Sequence, residues 1–138
     1  MKLCIKKFDP STIKPHRIML IIGRRGTGKS VLQQDMMSHC ADKVDFGIAM
    51  SPTEEALQTF RNSMPEAWIY RQFQQDKLED MIRVQRKCLQ AGKEPKSLFL
   101  VLDDCLYDKR ILKTQAMREL FMNGRHLRIS FNCAAQYM

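Results

Sequence analysis

A single glycine-rich segment constrains the fold of this 138-residue chain more than any other feature. It reads Gly23-Arg24-Arg25-Gly26-Thr27-Gly28-Lys29-Ser30 and satisfies the pattern G-x-x-x-x-G-K-[ST] at every fixed position. Its glycines permit positive φ values, so successive backbone N–H groups can point inward around an anion. An apolar run at residues 17–22 precedes the segment, and a helical pattern from residue 29 to about residue 40 follows it. Together these features predict a phosphate-binding loop between a strand and a helix.

The side chains of residues 23–30 favour ATP with Mg²⁺ as the ligand of this loop. Lys29 is expected to reach the β- and γ-phosphates, and the Ser30 hydroxyl is expected to bind the metal. The helix that begins at Lys29 adds the positive end of its dipole. Thr27 is predicted to make backbone contacts within the loop. Arg24 and Arg25 have two possible interpretations. Either one of them contacts the γ-phosphate or a neighbouring subunit's nucleotide, or both are ordinary surface charges.

A second apolar run, at residues 98–102, ends in the acidic pair Asp103-Asp104. An acid at the end of a strand beside a phosphate-binding loop can hold Mg²⁺ directly or through water, because this cation prefers oxygen ligands. We assign that role to Asp103. Asp104 is predicted to face the γ-phosphate and to orient or deprotonate the attacking water. The alternative for Asp104 is a cap of the following turn.

Two polar residues flank the last predicted strand, residues 127–133. Gln136 follows that strand and is expected to hydrogen-bond the γ-phosphate or the attacking water, although an ordinary loop amide is the alternative. Arg125 follows a glycine, Gly124, that is predicted to end a helix, so its direction is expected to be fixed. Such an arginine can act on a neighbouring subunit's ATP, or it is an ordinary surface cation.

Predicted strands and helices alternate along the chain. This alternation predicts an α/β fold with a mainly parallel sheet flanked by helices, and ligands of such sheets bind at the carboxyl ends of the strands. A lead-in at residues 1–16 precedes a P-loop NTPase core at residues 17–138. The predicted strands are 17–22, 45–50, 68–70, 97–102 and 127–133, and the predicted helices are 29–40, one that starts at Ser51-Pro52-Thr53-Glu54 with Ser51 as its cap, 74–91 and 111–122.

Composition excludes several classes of protein. Lys and Arg number 23 and Asp and Glu 15, which gives a net charge of +8 that suits a polyanionic partner or simply keeps the surface soluble. The five cysteines are odd in number and lack any Cys-x-x-Cys pair, which argues against a disulfide framework or a zinc knuckle. The longest apolar run, residues 18–22, is too short to span a bilayer, and the N-terminus lacks a secretory signal. We therefore expect a protein that is not secreted.

Four segments, taken together, carry a more specific resemblance. They are residues 17–30 with the phosphate loop, Leu100-Val101-Leu102-Asp103-Asp104-Cys105, Asn123-Gly124-Arg125-His126-Leu127 and Ala135-Gln136-Tyr137. In combination they resemble the genome-packaging ATPases of large nucleo-cytoplasmic DNA viruses, of which the poxvirus packaging ATPase is the best-known type. That group belongs to the FtsK–HerA superfamily of ring-forming DNA pumps. The resemblance covers nearly the whole chain from Arg17 onward.

The resemblance implies a RecA-like P-loop NTPase core with an extra strand, residues 127–133, between the phosphate-loop strand and the acidic strand. It implies Gln136 as a sensor of the γ-phosphate. It further implies a homo-oligomeric ring that couples Mg-dependent ATP hydrolysis to the movement of double-stranded viral DNA into a preformed capsid. Capsid or portal-type components would be further partners. The expected location is the host cytoplasm, at viral factories, with the virion as a second location.

Two features depart from the family pattern. Asp104 stands where many members of the superfamily carry Glu, and its shorter side chain reaches less far. The family continues well past the position of Met138, with at least one more strand beside the phosphate-loop strand. We therefore expect a core truncated at its C-terminus, with an open sheet edge. Two other functions remain open from the sequence: a P-loop nucleotide or nucleoside kinase, and a non-catalytic nucleotide-binding scaffold.

Overall fold

The computed structural model describes residues 1–136, and its centre is a five-stranded sheet in which every pairing is parallel. The strands are β1 (Ile18–Ile22), β2 (Phe46–Met50), β3 (Ile69–Tyr70), β4 (Leu98–Asp103) and β5 (Ile129–Ala135). Their order in the sheet is β1-β5-β4-β2-β3. β5 therefore lies between the phosphate-loop strand and the acidic strand, which confirms the position that the family resemblance implies for the extra strand.

Helices connect the parallel strands, as crossover connections require. They are α1 (Lys29–Cys40), α2 (Glu54–Arg61), α3 (Gln75–Gln90), α4 (Lys109–Leu112) and α5 (Gln115–Asn123). Short 3₁₀ helices lie at Pro10–Thr12, Ala41–Lys43 and Glu66–Trp68. The α/β fold class predicted from the sequence is confirmed. Among residues 1–136, no helix is both long and apolar enough to cross a membrane.

The core has one layer on each face of the sheet. On one face, Leu78 and Ile82 of α3 and Leu120 of α5 pack against apolar side chains of the strands. On the other face, Met37 of α1 and Phe60 of α2 belong to a second buried cluster. All seven residues of β5 are buried, because helices cover both faces of this central strand.

Two helix starts differ from their predicted positions. α2 begins at Glu54 with Thr53 at its cap, two residues later than predicted. Thr53 keeps an extended backbone, with φ −97° and ψ 133°, although its N–H donates to the Ser51 hydroxyl at 3.2 Å. The single helix predicted at residues 111–122 is two helices. The Asp108 side chain accepts a hydrogen bond from the Arg110 backbone N–H at 2.9 Å and starts α4 early. The Thr114 side chain accepts one from the Met117 N–H at 3.4 Å and starts α5.

The last strand begins two residues later than predicted, at Ile129, because Arg128 lies in the left-handed region with φ 59°. A turn at residues 124–128 therefore separates α5 from β5. Gly124 does not end α5 through a positive φ, since its φ is −53°. It is required for close approach, because a Cβ at this position would lie 2.5 Å from the carbonyl oxygen of Leu120.

Candidate active site

The phosphate loop leaves β1 and enters α1 at the carboxyl edge of the sheet. The Gly23 N–H donates to the Ala135 carbonyl oxygen at 3.1 Å, which fixes the start of the loop to β5. Gly26 and Gly28 have φ values of 78° and 87°, which L-residues with a Cβ adopt only with strain. Thr27 makes backbone contacts as predicted, since its hydroxyl donates to the Arg24 carbonyl oxygen at 2.6 Å. The loop thus has the curvature that a bound phosphate chain requires.

Lys29 and Ser30 occupy the first turn of α1, where both are half-buried. The Lys29 Nζ donates to the Gly23 carbonyl oxygen at 2.6 Å, so the ammonium group bridges the two ends of the loop. Arg24 and Arg25 are exposed and form no ion pair within residues 1–136. Their roles remain the two alternatives that the sequence leaves open.

The acidic pair lies at the end of β4, two strands away from β1. Because only β5 lies between them, the carboxyl ends of β1 and β4 are about 10 Å apart, which is two interstrand spacings. Asp103 continues the row of Phe99 and Val101 on the face that α1 covers. Asp104 follows in the left-handed region with φ 51°, and its N–H donates to the Ala134 carbonyl oxygen at 3.1 Å. Hydrogen bonds to β5 thus hold both the phosphate loop and the acids.

The Asp103 carboxylate is 3% exposed and accepts a hydrogen bond from the Ser51 hydroxyl at 3.1 Å. Burial raises its pKa to about 6, and the neighbouring charge of Asp104 adds to the rise. The Ser51 hydrogen bond and the positive charge of Lys29 oppose this rise in pKa. Lys29 and Asp103 therefore lie within electrostatic reach of each other, as a shared triphosphate and metal site requires.

These residues fit a magnesium ion. A buried carboxylate with a raised pKa is stabilised in its charged form by a nearby cation, and Mg²⁺ prefers the carboxylate and hydroxyl oxygens that Asp103 and Ser30 offer. Residues 1–136 contain no group of three or more His, Cys, Asp or Glu that could hold a metal ion without other ligands. Phosphate oxygens and water would therefore complete the coordination.

Replacing Asp103 by Asn is expected to stabilise the ligand-free protein by up to about 3 kcal/mol at pH 7. The folded pKa of about 6 exceeds the ordinary value of 3.8, so the folded state binds more protons between these two pH values. The free energy of unfolding of the wild type should therefore fall as pH rises from about 4 to 6, and Asp103→Asn should lose that fall. Denaturant unfolding over this pH range measures both effects.

The exposed carboxylate of Asp42 provides the matched control for this substitution. Asp42→Asn should leave both the stability at pH 7 and its pH dependence close to those of the wild type. A lower stability of Asp103→Asn at pH 7, with the wild-type pH dependence retained, would contradict the assigned cost of burying this charge.

Asp104 and Gln136 line one cavity of about 290 Å³ at the carboxyl edge. Thr53 and Tyr107 form other parts of its wall. Gln136 is exposed, directly after β5, between the phosphate loop and the acidic pair. The structure therefore brings together the two residues that the sequence assigns to the attacking water.

Arg125 does not join the site of its own chain. It lies in the turn that precedes β5, at the amino edge of the sheet, whereas the phosphate loop and the acids lie at the carboxyl edge. Its side chain is exposed and has no ion pair within residues 1–136. A role toward a neighbouring subunit's nucleotide stays a prediction.

Sequence reasoning missed Ser51 and Thr53. Ser51 is buried and contacts both the Asp103 carboxylate and the Thr53 hydroxyl, each at 3.1 Å. The available signal was the position of Ser51 directly after a strand, since β2 neighbours β4 and their carboxyl ends meet at one edge. Without the strand order, that serine is better explained as a helix cap.

Comparison with known proteins finds similar proteins in several viruses. No protein-family model matches the chain. It is similar to uncharacterized protein 015R of Frog virus 3 (isolate Goorha), with 29% identity over 87% of this chain and 38% of that protein. It is also similar to uncharacterized protein 075L of Invertebrate iridescent virus 6, with 27% identity over 96% of this chain and 55% of that protein. Uncharacterized protein 088R of Invertebrate iridescent virus 3 is 30% identical over 86% of this chain and 45% of that protein. The chain thus spans about half the length of these curated relatives.

Solved structures establish the fold. One similar structure is the genome packaging NTPase B204 from Sulfolobus turreted icosahedral virus 2 in complex with ATP-γS, with a TM-score of 0.57, 18% identity, and coverage of 90% of this chain and 66% of that chain. Another is EssC (ATPases 2 and 3) from Geobacillus thermodenitrificans, with a TM-score of 0.60, 15% identity, and coverage of 88% of this chain and 28% of that chain. The chain therefore has the P-loop ATPase fold that its glycine-rich loop predicts.

Proposed function

We propose that this chain is the ATPase core of a motor that moves double-stranded viral DNA into capsids. One observation carries the proposal: the phosphate loop and the Asp103-Asp104 pair lie at the same edge of the sheet, with Lys29 within electrostatic reach of Asp103. The similarity of the fold to a viral genome packaging NTPase and the similarity of the sequence to uncharacterized viral proteins support it. The charge of +8 suits a polyanionic cargo.

The binding step begins with a change at Lys29. Its Nζ has one carbonyl partner, Gly23, and the β- and γ-phosphates of ATP offer stronger, charged acceptors. We expect the ammonium group to leave that carbonyl and contact the phosphates, while the N–H groups of the loop and of α1 surround them. Ser30 and Asp103 would hold Mg²⁺, which supplies positive charge to neutralise the phosphate oxygens.

The hydrolysis step uses the cavity that Asp104 and Gln136 line. Asp104 would accept one proton from water, whose oxygen forms a bond to the γ-phosphorus while the bond from that phosphorus to the bridging oxygen breaks. Gln136 would orient the same water or report the γ-phosphate through its amide. In a ring of identical subunits, Arg125 at the amino edge would contact a neighbour's nucleotide. An arginine in that role raises the rate of hydrolysis by about 10³–10⁵-fold. Capsid or portal-type components, and a site of action at cytoplasmic viral factories and in the virion, belong to the same proposal.

The proposal is tested by calorimetry with ATP in the presence and absence of Mg²⁺, followed by measurement of phosphate release. We expect Mg-dependent ATP binding and hydrolysis that duplex DNA stimulates. Absence of ATP binding in the presence of Mg²⁺ would overturn the proposal. Tight ATP binding without phosphate release, in this chain and in a longer one, would favour the non-catalytic scaffold.

The cavity of about 290 Å³ that Asp104 and Gln136 line favours a second candidate, a nucleotide or nucleoside kinase. It lies at the same edge of the sheet as the phosphate loop, and its volume leaves room for the hydroxyl-bearing part of an acceptor. A screen of nucleosides and nucleotides as acceptors decides between the two candidates. Phosphoryl transfer that is faster than hydrolysis would favour the kinase.

A further inference from the structure

The amino edge of the sheet carries a basic groove that the site at the carboxyl edge does not use. The groove has a volume of about 710 Å³ and lies between the lead-in to β1 and the turn before β5. Its lining includes no acidic residue. We use the name amino-edge groove for the surface formed by Lys14, His16, Arg17, Arg125, His126 and Arg128.

The cations of this groove are largely uncompensated. Lys14, Arg17 and Arg125 form no ion pair within residues 1–136, whereas Arg128 pairs with Glu94. Burial lowers the pKa of His16, and the positive charges of Arg128 and Arg17 lower it further. Positive potential is therefore concentrated in the groove, and an anionic partner would relieve it.

The backbone of the groove is held in a fixed and unusual shape. His16 and Arg128 have φ values of 61° and 59°, which makes them two of the three described residues other than glycine with positive φ. The His16 N–H donates to the hydroxyl of the buried Ser130 at 2.7 Å, and the His16 Nε2 lies 2.6 Å from the Ser97 hydroxyl. Strained backbone that the sheet holds in place is typical of binding surfaces, where a fixed shape lowers the entropic cost of binding.

The groove suits a chain of phosphates better than a single small anion. Its volume is large, and two cations, Lys14 and Arg125, are exposed along it. Spaced, exposed cations contact successive phosphates of a nucleic-acid backbone without reading its sequence. The groove also lies at the opposite end of the strands from the phosphate loop of the same chain, so DNA bound there would not compete with the ATP that this chain binds.

We propose that the amino-edge groove binds the phosphate backbone of duplex DNA through Lys14, Arg17 and their basic neighbours. This inference rests on the proposed function for the identity of the partner, and it assigns that partner a surface.

The test measures binding of a short mixed-sequence DNA duplex by fluorescence anisotropy across a series of salt concentrations, without nucleotide. The Lys14→Ala/Arg17→Ala variant should reduce the slope of log K against log salt by about 2, because two phosphate contacts are lost. Its affinity at low salt should fall by about tenfold or more. The matched control is Lys77→Ala/Lys87→Ala, which removes two exposed cations from α3 and should keep the wild-type slope.

A second variant guards against a folding defect at the half-buried Arg17. Lys14→Glu/His126→Glu changes only exposed side chains and should weaken DNA binding further by repulsion. Wild-type affinity and slope in both groove variants would overturn the inference, and so would an equal loss in the control.

Hydrolysis of ATP without DNA separates this inference from the proposed function. The groove variants should keep the basal rate. A loss of basal hydrolysis with unchanged DNA binding would overturn the inference, because the groove would then serve a neighbouring subunit's nucleotide. If no protein in the series binds ATP, the proposed function fails. The salt dependence of DNA binding still tests whether the amino-edge groove binds DNA.

Discussion

Replacing Lys29 by alanine is expected to reduce ATP hydrolysis by about 10²–10³-fold, the usual cost of removing one oxyanion donor from a catalytic site. The physical reason is that its Nζ is held at the phosphate loop by the Gly23 carbonyl oxygen, and its positive charge also acts on Asp103. Calorimetry should also show much weaker ATP binding, because the alanine side chain can offer neither a positive charge nor a donor. Phosphate release and calorimetry measure the two effects.

The matched control for Lys29→Ala is Lys77→Ala, which removes an exposed cation of α3 and should leave hydrolysis unchanged. Thermal unfolding should show that both variants remain folded, because the Gly23 carbonyl that loses its partner is only half-buried. Hydrolysis by Lys29→Ala at the wild-type rate would remove the phosphate loop from the mechanism.

Replacing Asp104 by Asn is expected to lower the hydrolysis rate by about 10²–10⁴-fold, the contribution of a positioned general base. ATP affinity should change little, because Asp104 is assigned to the water and not to the metal. Asn is the best choice for this test, because it tolerates the left-handed φ of 51° that this position requires. The variant should therefore fold normally and bind ATP without turning it over.

The control for Asp104→Asn is Asp108→Asn, four residues along the same loop. Asp108 caps α4 and pairs with Arg110, so its variant tests whether a local change of the loop alone affects catalysis. We expect near-normal hydrolysis from Asp108→Asn. If Asp104→Asn retained most of the wild-type rate, another group would have to accept the proton, and the assignment of Asp104 would be wrong.

The phosphate loop and the fold class are predictable from the sequence because each requires particular residue types at particular positions, and few other structures require the same combination. Gly26 and Gly28 adopt positive φ, and the apolar run of β4 is that of a strand buried on both faces. The place of β5 between β1 and β4 is different. Hydrophobicity does not encode strand order, so only the family resemblance predicted it.

Other features depend on contacts between residues far apart in the chain. The Ser51 hydroxyl donates a hydrogen bond to Asp103, which lies 52 residues away in the chain, and no local sequence pattern predicts that contact. The break between α4 and α5 is hidden because apolar residues continue at helical spacing across it, while one hydroxyl, that of Thr114, decides where the new helix starts. The position of Arg125, by contrast, was deducible, since a residue before a parallel strand lies at the edge opposite to a residue after one.

The central place of β5 has a consequence for synthesis of the protein. Within residues 1–136, the only strand partner of β1 is β5, and their paired residues, such as Ile18 and Phe131, lie more than a hundred positions apart. Long-range parallel pairing is slow to form because a large loop must close first. During translation, β1 therefore cannot form its pairing with β5 until β5 has left the ribosome. The phosphate loop is therefore fixed to the sheet, through the hydrogen bond from the Gly23 N–H to the Ala135 carbonyl oxygen, only after the last strand of this segment has been made.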